Sequence, residues 1–455
     1  MQSPVADAFA SELRRDPSAP VAWTAAGVRT RGDLDAASRT AAAALAAIEP
    51  GARIGVQARD GFAFLAAVLA VWRHGSCALL LDAADPRAPR LDLARRCGAA
   101  AVFDADTHAV LWHDANDGAP AGAFAAIKLT SGTTAEPRGV AVGWDALLAD
   151  AATVECAMGI GDGDRVLAAV PMSFSYGVAN LLVPALWRGR VLVLPDATHP
   201  LGFLQALRRG APTVLPAVPA LVRALVQQTV ALPADLRLVV SAGGALLPQV
   251  AAAFRARCGL PVHAFSGATE AGGICYDALG TAAENGSVGT PLEGVSVRLD
   301  ADGRVLVRSP AVGEALEPDP DLEGGTFRAR DLGVFRDGAL VLLGRSCDSF
   351  DVGGHKVHPR EVEQVIAALP GVRDVAVVPW RDADGRCAAA ALVVASGVDE
   401  AAVRRQCARS LPAAKVPRCI VLLPSLPRTE RGKLPREAVE RLLAAAAREP
   451  AGGAP

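Results

Sequence analysis

The chain has 455 residues, 51% hydrophobic and 21% charged, which excludes a disordered protein and exceeds one ordinary domain. A formal net charge of -2 gives no electrostatic case for nucleic acid or an anionic membrane surface, leaving small molecules or a carrier as expected partners. Met1 to Arg14 lacks the pattern of a secretory signal, and apolar runs such as 41–48 and 62–72 are too short to span a membrane, so a cytoplasmic protein is expected.

Residues 1 to about 125 alternate helical and strand-like segments. The pattern predicts a helix over 34–48, a strand over 53–57, and a helix with one apolar face over 62–74. A strand over 77–81 follows, then a turn at Pro86 and Pro89 and a helix to Arg96. Alternation of this kind implies parallel sheets covered by helices. Asp82, at a strand end, reads as a turn-capping carboxylate. Nine cysteines without a Cys-x-x-Cys pair imply reduced thiols and neither a zinc site nor a disulfide framework. His355 and His358 are close in sequence and are assigned to a surface turn.

A strand over 125–128 enters Leu129-Thr130-Ser131-Gly132-Thr133-Thr134-Ala135-Glu136-Pro137-Arg138-Gly139-Val140, and a helix is predicted from Trp144. Hydroxyls and glycines in one short loop make a nest of O–H and N–H donors suited to a polyphosphate, with Arg138 supplying charge. No Gly-x-x-x-x-Gly-Lys-Ser/Thr string occurs, so this is not a Walker loop. A strand over 166–170 leads to Pro171-Met172-Ser173-Phe174-Ser175-Tyr176-Gly177-Val178, a segment without charge. A buried strand over 236–240 delivers Gly243 and Gly244, and one over 262–265 delivers Ser266, Gly267, Ala268, Thr269 and Glu270. Segments 286–291 and 295–308 look like turns and hairpin strands of a β-rich subdomain, with Asp331 at a later strand end and Arg345 after a strand over 340–343. Beyond Asp348 lie the turn with Gly353 and Gly354, a helix over 360–368, strands over 372–378 and 388–394, a helix over 400–410, and a strand over 419–423. Lys433 sits in Pro427-Arg428-Thr429-Glu430-Arg431-Gly432-Lys433, and 449–455 is a tail expected to be disordered.

Taken in this order, the loop at 129–140, Ser241-Ala242-Gly243-Gly244-Ala245, Ser266-Gly267-Ala268-Thr269-Glu270, Arg330-Asp331-Leu332-Gly333, Gly344-Arg345 and the Lys433 motif resemble the AMP-forming acid-activating superfamily. Its members are acyl- and aryl-CoA ligases, peptide-synthetase adenylation domains and luciferases. The resemblance implies an α/β fold: a large N-terminal domain of helix-covered, largely parallel sheets with a small β-rich subdomain over 1–347, and a smaller mobile α+β domain over 348–448.

It also implies the chemistry. ATP and Mg2+ would be the cofactors, with Thr130, Ser131, Gly132, Thr133, Thr134 and Arg138 at the phosphates. Gly243, Gly244, Ser266 and Gly267 would flank the adenine or the acid, while Asp331 and Arg345 would hold the ribose. Glu270 would hold the metal and Thr269 the α-phosphate; a carboxylate capping a helix from Ala271 is the competing role for Glu270. Phe174, Ser175, Tyr176, Gly177 and Val178, with Gly243, would line the acid pocket. Relatives that take α-amino acids carry Asp where Ser175 stands, so an aromatic or medium aliphatic acid without an ammonium is expected. Asp348 falls at the hinge, Gly353 and Gly354 at a thiol channel, and Lys433 at the catalytic lysine. The acceptor would be coenzyme A, slightly favoured, or the phosphopantetheine of a separate acyl carrier protein. The chain departs from the family at Ala135, Arg138 and Ser266 and lacks Thr-Gly before Asp331, so a nucleotide-binding member without turnover is the rival reading. With a tyrosine absent at 266, stacking on adenine is expected to be weakened or supplied by the neighbouring Phe265.

Overall fold

The computed structural model describes residues 3–113, 118–130, 137–228, 230–281, 285–346, 349–352, 355–381, 386–427 and 436–446. Two large sheets form the frame. A nine-stranded sheet runs Thr290–Pro291, Gly272–Tyr276, Val262–Ala268, Leu238–Ser241, Val214–Ala217, Arg165–Leu167, Val191–Val193, Pro20–Thr24, Gly27–Thr30. A seven-stranded sheet runs Glu314–Ala315, Gly139–Gly143, Phe124–Leu129, Cys77–Leu80, Arg53–Gln57, Ala101–Asp104, Ala109–His113. Both are parallel in the middle and close at each edge with antiparallel pairs. The central strands are apolar on both faces, as covered parallel strands must be; Cys77–Leu80 is buried throughout.

One core joins the sheets. It takes Val21, Val166 and Leu192 from the nine-stranded sheet and Ile54, Leu80 and Ala126 from the seven-stranded one. Helix Gly61–Arg73 runs through it and is buried from Phe64 to Trp72 without a break. The apolar face expected there extends around the helix, because a helix covered on several sides has no broad solvent face to keep polar. Trp72 ties this layer to the site, its Nε1–H donating to Ala125 O at 2.9 Å and its ring meeting Trp144 edge-on at 5.2 Å. The helix expected over 34–48 spans Arg31–Ala44, because Thr30 and Asp33 form a capping box that starts it earlier. Asp82 accepts the Ala84 N–H at 2.9 Å, the turn role expected of it.

A five-stranded subdomain of Ser296–Leu299, Arg304–Arg308, Thr326–Arg336, Leu322–Glu323 and Ala339–Arg345 follows. The smaller C-terminal unit pairs Val372–Arg381, Cys387–Ala395 and Cys419–Leu422 beside helices Pro359–Ala367 and Glu400–Ser410. It meets the large unit through Arg223 Nη1 on Asp374 at 2.7 Å and through Gln249, which donates to the Ala367 and Val372 carbonyls. Among the described residues no helix is long and apolar enough to cross a membrane.

Asp164, ahead of strand Arg165–Leu167, accepts from Arg237 Nε and Nη2 at 2.9 and 2.6 Å, from Thr213 Oγ1 at 2.7 Å and from Gly161 N–H at 2.9 Å. Burial pushes its carboxyl up, but these donors outweigh burial and hold it at about 2. A depressed pKa contributes stability that is complete above the unfolded value near 4 and is lost as pH falls through about 2. Asp164→Asn is therefore expected to cost about 2 kcal/mol at neutral pH, a deficit that closes between about pH 4 and 2. Urea denaturation of both proteins across that range measures it.

Candidate active site

Strands Phe124–Leu129 and Gly139–Gly143 form an antiparallel hairpin whose connection is the hydroxyl-rich loop. Its neck is closed by Thr130 N–H donating to Arg138 O at 2.9 Å and by Arg138 N–H donating to Thr130 Oγ1 at 3.0 Å. Ser131, Gly132, Thr133 and Thr134 lie outside the described residues, as do Asp348, Gly353, Gly354 and Lys433. The Arg138 guanidinium meets Asp319 at 3.0 Å. It thus carries a counter-charge already, which sequence spacing did not reveal because the partner is 181 residues away.

Thr269 and Glu270 occupy the turn of a second hairpin, Val262–Ala268 with Gly272–Tyr276. Two expectations are corrected here. The strand continues through Ser266 and Gly267 instead of ending at 265, and the residues after Ala271 form a strand, so Glu270 does not cap a helix. Gly272 and Gly273 pair back onto Ala268 and Gly267, and this cross-strand pairing overrides the local pattern. The two hairpins are stitched together by one short segment. Gly313 N–H donates to Glu270 O at 2.9 Å, Glu314 and Ala315 pair with Ala141 and Val140, and Asp319 reaches Arg138.

The charges converge accordingly. Burial pushes the half-buried Glu270 carboxyl up, its own backbone N–H, Lys128 and Arg345 hold it down, and Asp319 adds to the upward push. Lys128 and Asp150 were not singled out from sequence. The Lys128 ammonium lies 4.0 Å from Asp150, and the two side chains are 2% and 5% exposed. Burial pushes Lys128 down and Asp150 up, each opposed by the other's charge. The available signal was a lysine in the apolar run Ala125-Ala126-Ile127-Lys128, which demands a buried counter-charge.

Asp331 sits inside strand Thr326–Arg336 at a bulge, not at a strand end, and is register partner of Arg345. Their side chains face each other, Nε to Oδ1 3.8 Å, both more than a third exposed. Gly243 and Gly244 follow strand Leu238–Ser241 and are exposed. In the uncharged segment, helix Ser175–Gly177 continues into the π-helical turn Val178–Leu182. Phe174 and Ser175 are half-buried, whereas Val178 belongs to the core. Gly177 is there for packing: a Cβ would stand 2.0 Å from Pro171 O. The Tyr176 ring stacks on Phe265 at 5.3 Å and 27°. Phe265 is 7% exposed, so its ring is spent inside the protein and the expectation that it stacks on adenine is corrected.

The residues present fit a divalent cation. Glu270 offers a hard carboxylate oxygen whose ionised form burial disfavours and a cation would restore, with the Thr269 hydroxyl beside it. Among the described residues there is no group of three or more His, Cys, Asp or Glu that could hold a metal.

The family model of AMP-binding enzymes matches residues 9–316, and that of the AMP-binding enzyme C-terminal domain matches 361–433. The chain belongs to the AMP-binding enzyme family. This AMP-binding enzyme is 32% identical over 436 residues to the isonitrile lipopeptide synthase of Streptomyces coeruleorubidus, an alignment covering 85% of the chain and 30% of that protein. It is 31% identical over 337 residues to the 4-hydroxybenzoate–CoA/benzoate–CoA ligase of Rhodopseudomonas palustris, covering 68% of the chain and 62% of that ligase. The chain thus spans less than two thirds of the length of these two relatives. Its fold matches o-succinylbenzoate CoA synthetase from Bacillus subtilis in complex with an acyl-adenylate intermediate, at a TM-score of 0.81 and 23% identity over 95% of this chain and 97% of that one. The hairpin of the hydroxyl-rich loop and the Glu270 hairpin both fall in the first matched region, and Lys433 ends the second.

Gly272 has φ +68°, and a Cβ there would lie 2.5 Å from Asp150 Oδ1. Gly272→Ala is expected to cost roughly 2–3 kcal/mol, from left-handed strain together with overpacking against a carboxylate. A fall of that size in the denaturation free energy checks it.

Proposed function

We propose that the chain is an AMP-forming acid–thiol ligase. The carboxylate of an aromatic or medium aliphatic acid attacks the α-phosphorus of ATP in line, giving an acyl-adenylate and pyrophosphate; a thiol then attacks the acyl carbonyl, forming the thioester and breaking the acyl–phosphate C–O bond to release AMP. The observation that carries this reading is the stitching of the phosphate-loop hairpin to the Glu270 hairpin through Gly313, Glu314, Ala315 and Asp319. The strand leaving the first loop and the turn carrying Thr269 and Glu270 are thereby joined by one segment, which supports a shared phosphate site, and the family supplies the reaction class.

Each residue has a role in that reading. Thr130 to Thr134 bind the phosphates, Arg138 with Asp319 sets the charge at the loop's neck, and Thr269 donates to the α-phosphate. Glu270 would hold Mg2+, which when bound neutralises phosphate charge. Asp331 accepts ribose hydroxyls and Arg345 orients it. Gly243, Gly244, Ser266 and Gly267 leave room beside the backbone for adenine and acid. Phe174 and Ser175 face the acid, and Tyr176, Gly177 and Val178 shape the pocket from behind. Lys433 supplies a mobile ammonium to the carboxylate and α-phosphate. A turn of the C-terminal unit, 348–448, about Asp348 then exchanges Lys433 for the Gly353–Gly354 loop and its thiol channel. Catalysis of this kind is positioning and electrostatics. Coenzyme A is the favoured acceptor, in keeping with the CoA ligase relative; a carrier protein's phosphopantetheine is the second. The engagement of Arg138 by Asp319 and of Phe265 by Tyr176 favours, as runner-up, a nucleotide-binding member without turnover.

Acid-dependent exchange of labelled pyrophosphate into ATP is expected with at least one aromatic or aliphatic acid and not with α-amino acids. No exchange with any acid would leave the runner-up standing. Incubation of active acids with coenzyme A or a carrier protein, read as thioester mass, distinguishes the acceptors. Lys433→Ala is expected to lower exchange by at least a hundredfold, on the scale of lost transition-state contacts, while sparing transfer from preformed acyl-adenylate. Equal loss of both half-reactions would overturn the exchange of Lys433 for the thiol loop.

A further inference from the structure

Lys128 precedes Thr130 by two residues in strand Phe124–Leu129, where Ala125, Ala126 and Ile127 are fully buried. An ammonium in such surroundings is tolerated only with a counter-charge. Asp150, on helix Trp144–Met158, provides it, and its carboxylate makes two further contacts. Oδ1 accepts the Gly273 N–H at 2.9 Å, and the group presses so closely on Gly272 that no Cβ fits there. Gly272–Tyr276 is the outgoing arm of the hairpin that carries Thr269 and Glu270 in its turn. The strand feeding the phosphate loop, the helix after it and the Glu270 hairpin therefore meet at one carboxylate.

The ammonium and carboxylate are 4.0 Å apart, too far for a hydrogen bond, so charge holds them together. A buried ion pair is often replaceable by apolar side chains of similar volume at no cost in stability. Stability alone thus gives no account of two charges here, whereas their place between strand Phe124–Leu129 and the Glu270 hairpin does. Lys128 also acts on Glu270 directly, its charge favouring the ionised carboxylate.

We propose that Lys128 and Asp150 are positioning residues that set the Glu270 hairpin against the strand Phe124–Leu129 and so govern uptake of ATP with magnesium. The inference rests on the ligase reading for the role of Glu270. Its test uses the double variant Lys128→Met with Asp150→Asn, which removes both charges, nearly conserves volume, and keeps an amide oxygen to accept the Gly273 N–H. Calorimetric titration with ATP, with and without magnesium, is run beside pyrophosphate exchange on the full chain, with Glu270→Gln as reference. The double variant is expected to fold with an unfolding midpoint close to the parent's and to need at least tenfold more magnesium. Its affinity for ATP without magnesium and its KM for the acid should stay within twofold, and Glu270→Gln should behave alike. An unchanged magnesium requirement in the folded double variant overturns the proposal. So does an equal loss for ATP alone and for the acid, which would mean general loosening, or a double variant that does not fold. A parent protein that binds ATP with magnesium but exchanges nothing refutes the ligase reading separately, the calorimetry still deciding the role of the pair; a parent that binds no ATP refutes both.

Discussion

The constraint on which the rest of this protein depends is that two sheets share one apolar layer. Helix Gly61–Arg73, buried along its whole middle, can exist only if it is covered on several sides: strands Arg53–Gln57 and Cys77–Leu80 and helices Pro4–Arg15 and Arg31–Ala44 pack on it, and the same core takes in residues of both sheets. Burial of this kind is worth about 25 cal/mol per Å2 of apolar surface, and it is what brings the edge hairpins of separate sheets into reach of each other. Trp72 extends the constraint to the phosphate-loop strand by its hydrogen bond to Ala125.

Charge follows from that packing. Once the two hairpins are adjacent, Lys128, Asp150, Glu270, Asp319 and Arg345 share one partly dry region, and none can be understood without the others. Burial disfavours the charged forms of Lys128, Asp150 and Glu270, so each of these depends on an opposite neighbour. Such a region is costly in a scaffold and useful beside a polyphosphate, whose negative charge a preorganised set of donors can receive without rearrangement.

The glycines around the site divide along the same line. Gly177 and Gly272 are required by close approach within the protein, to the Pro171 carbonyl and the Asp150 carboxylate. Gly243 and Gly244 are exposed; a φ of +78° accounts for glycine at 243, whereas at 244 a Cβ would meet only Pro219 at ordinary contact distance, so nothing in the protein requires that residue to be small. Smallness that packing does not explain is the kind that a ligand-facing backbone uses.

The order of motifs was legible by itself: hydroxyl-rich loop, paired glycines, Thr269-Glu270, Asp331, Arg345 and Lys433 follow one another along the chain, and their order pointed to the AMP-binding family that the match over 9–316 shows. Strands such as Arg53–Gln57 and helices such as Glu400–Ser410 were legible too, because apolar periodicity and capping residues are local. What only the tertiary structure decided is which side chains answer one another across long separations. Glu270 lies in a hairpin turn because Gly272 and Gly273 pair backward across the strand, Arg138 meets Asp319 and Lys128 meets Asp150, and no local pattern encodes those partners. The physical reason is that hydrogen-bond ladders and buried charges are satisfied in space, while periodicity records only which face of an element is dry.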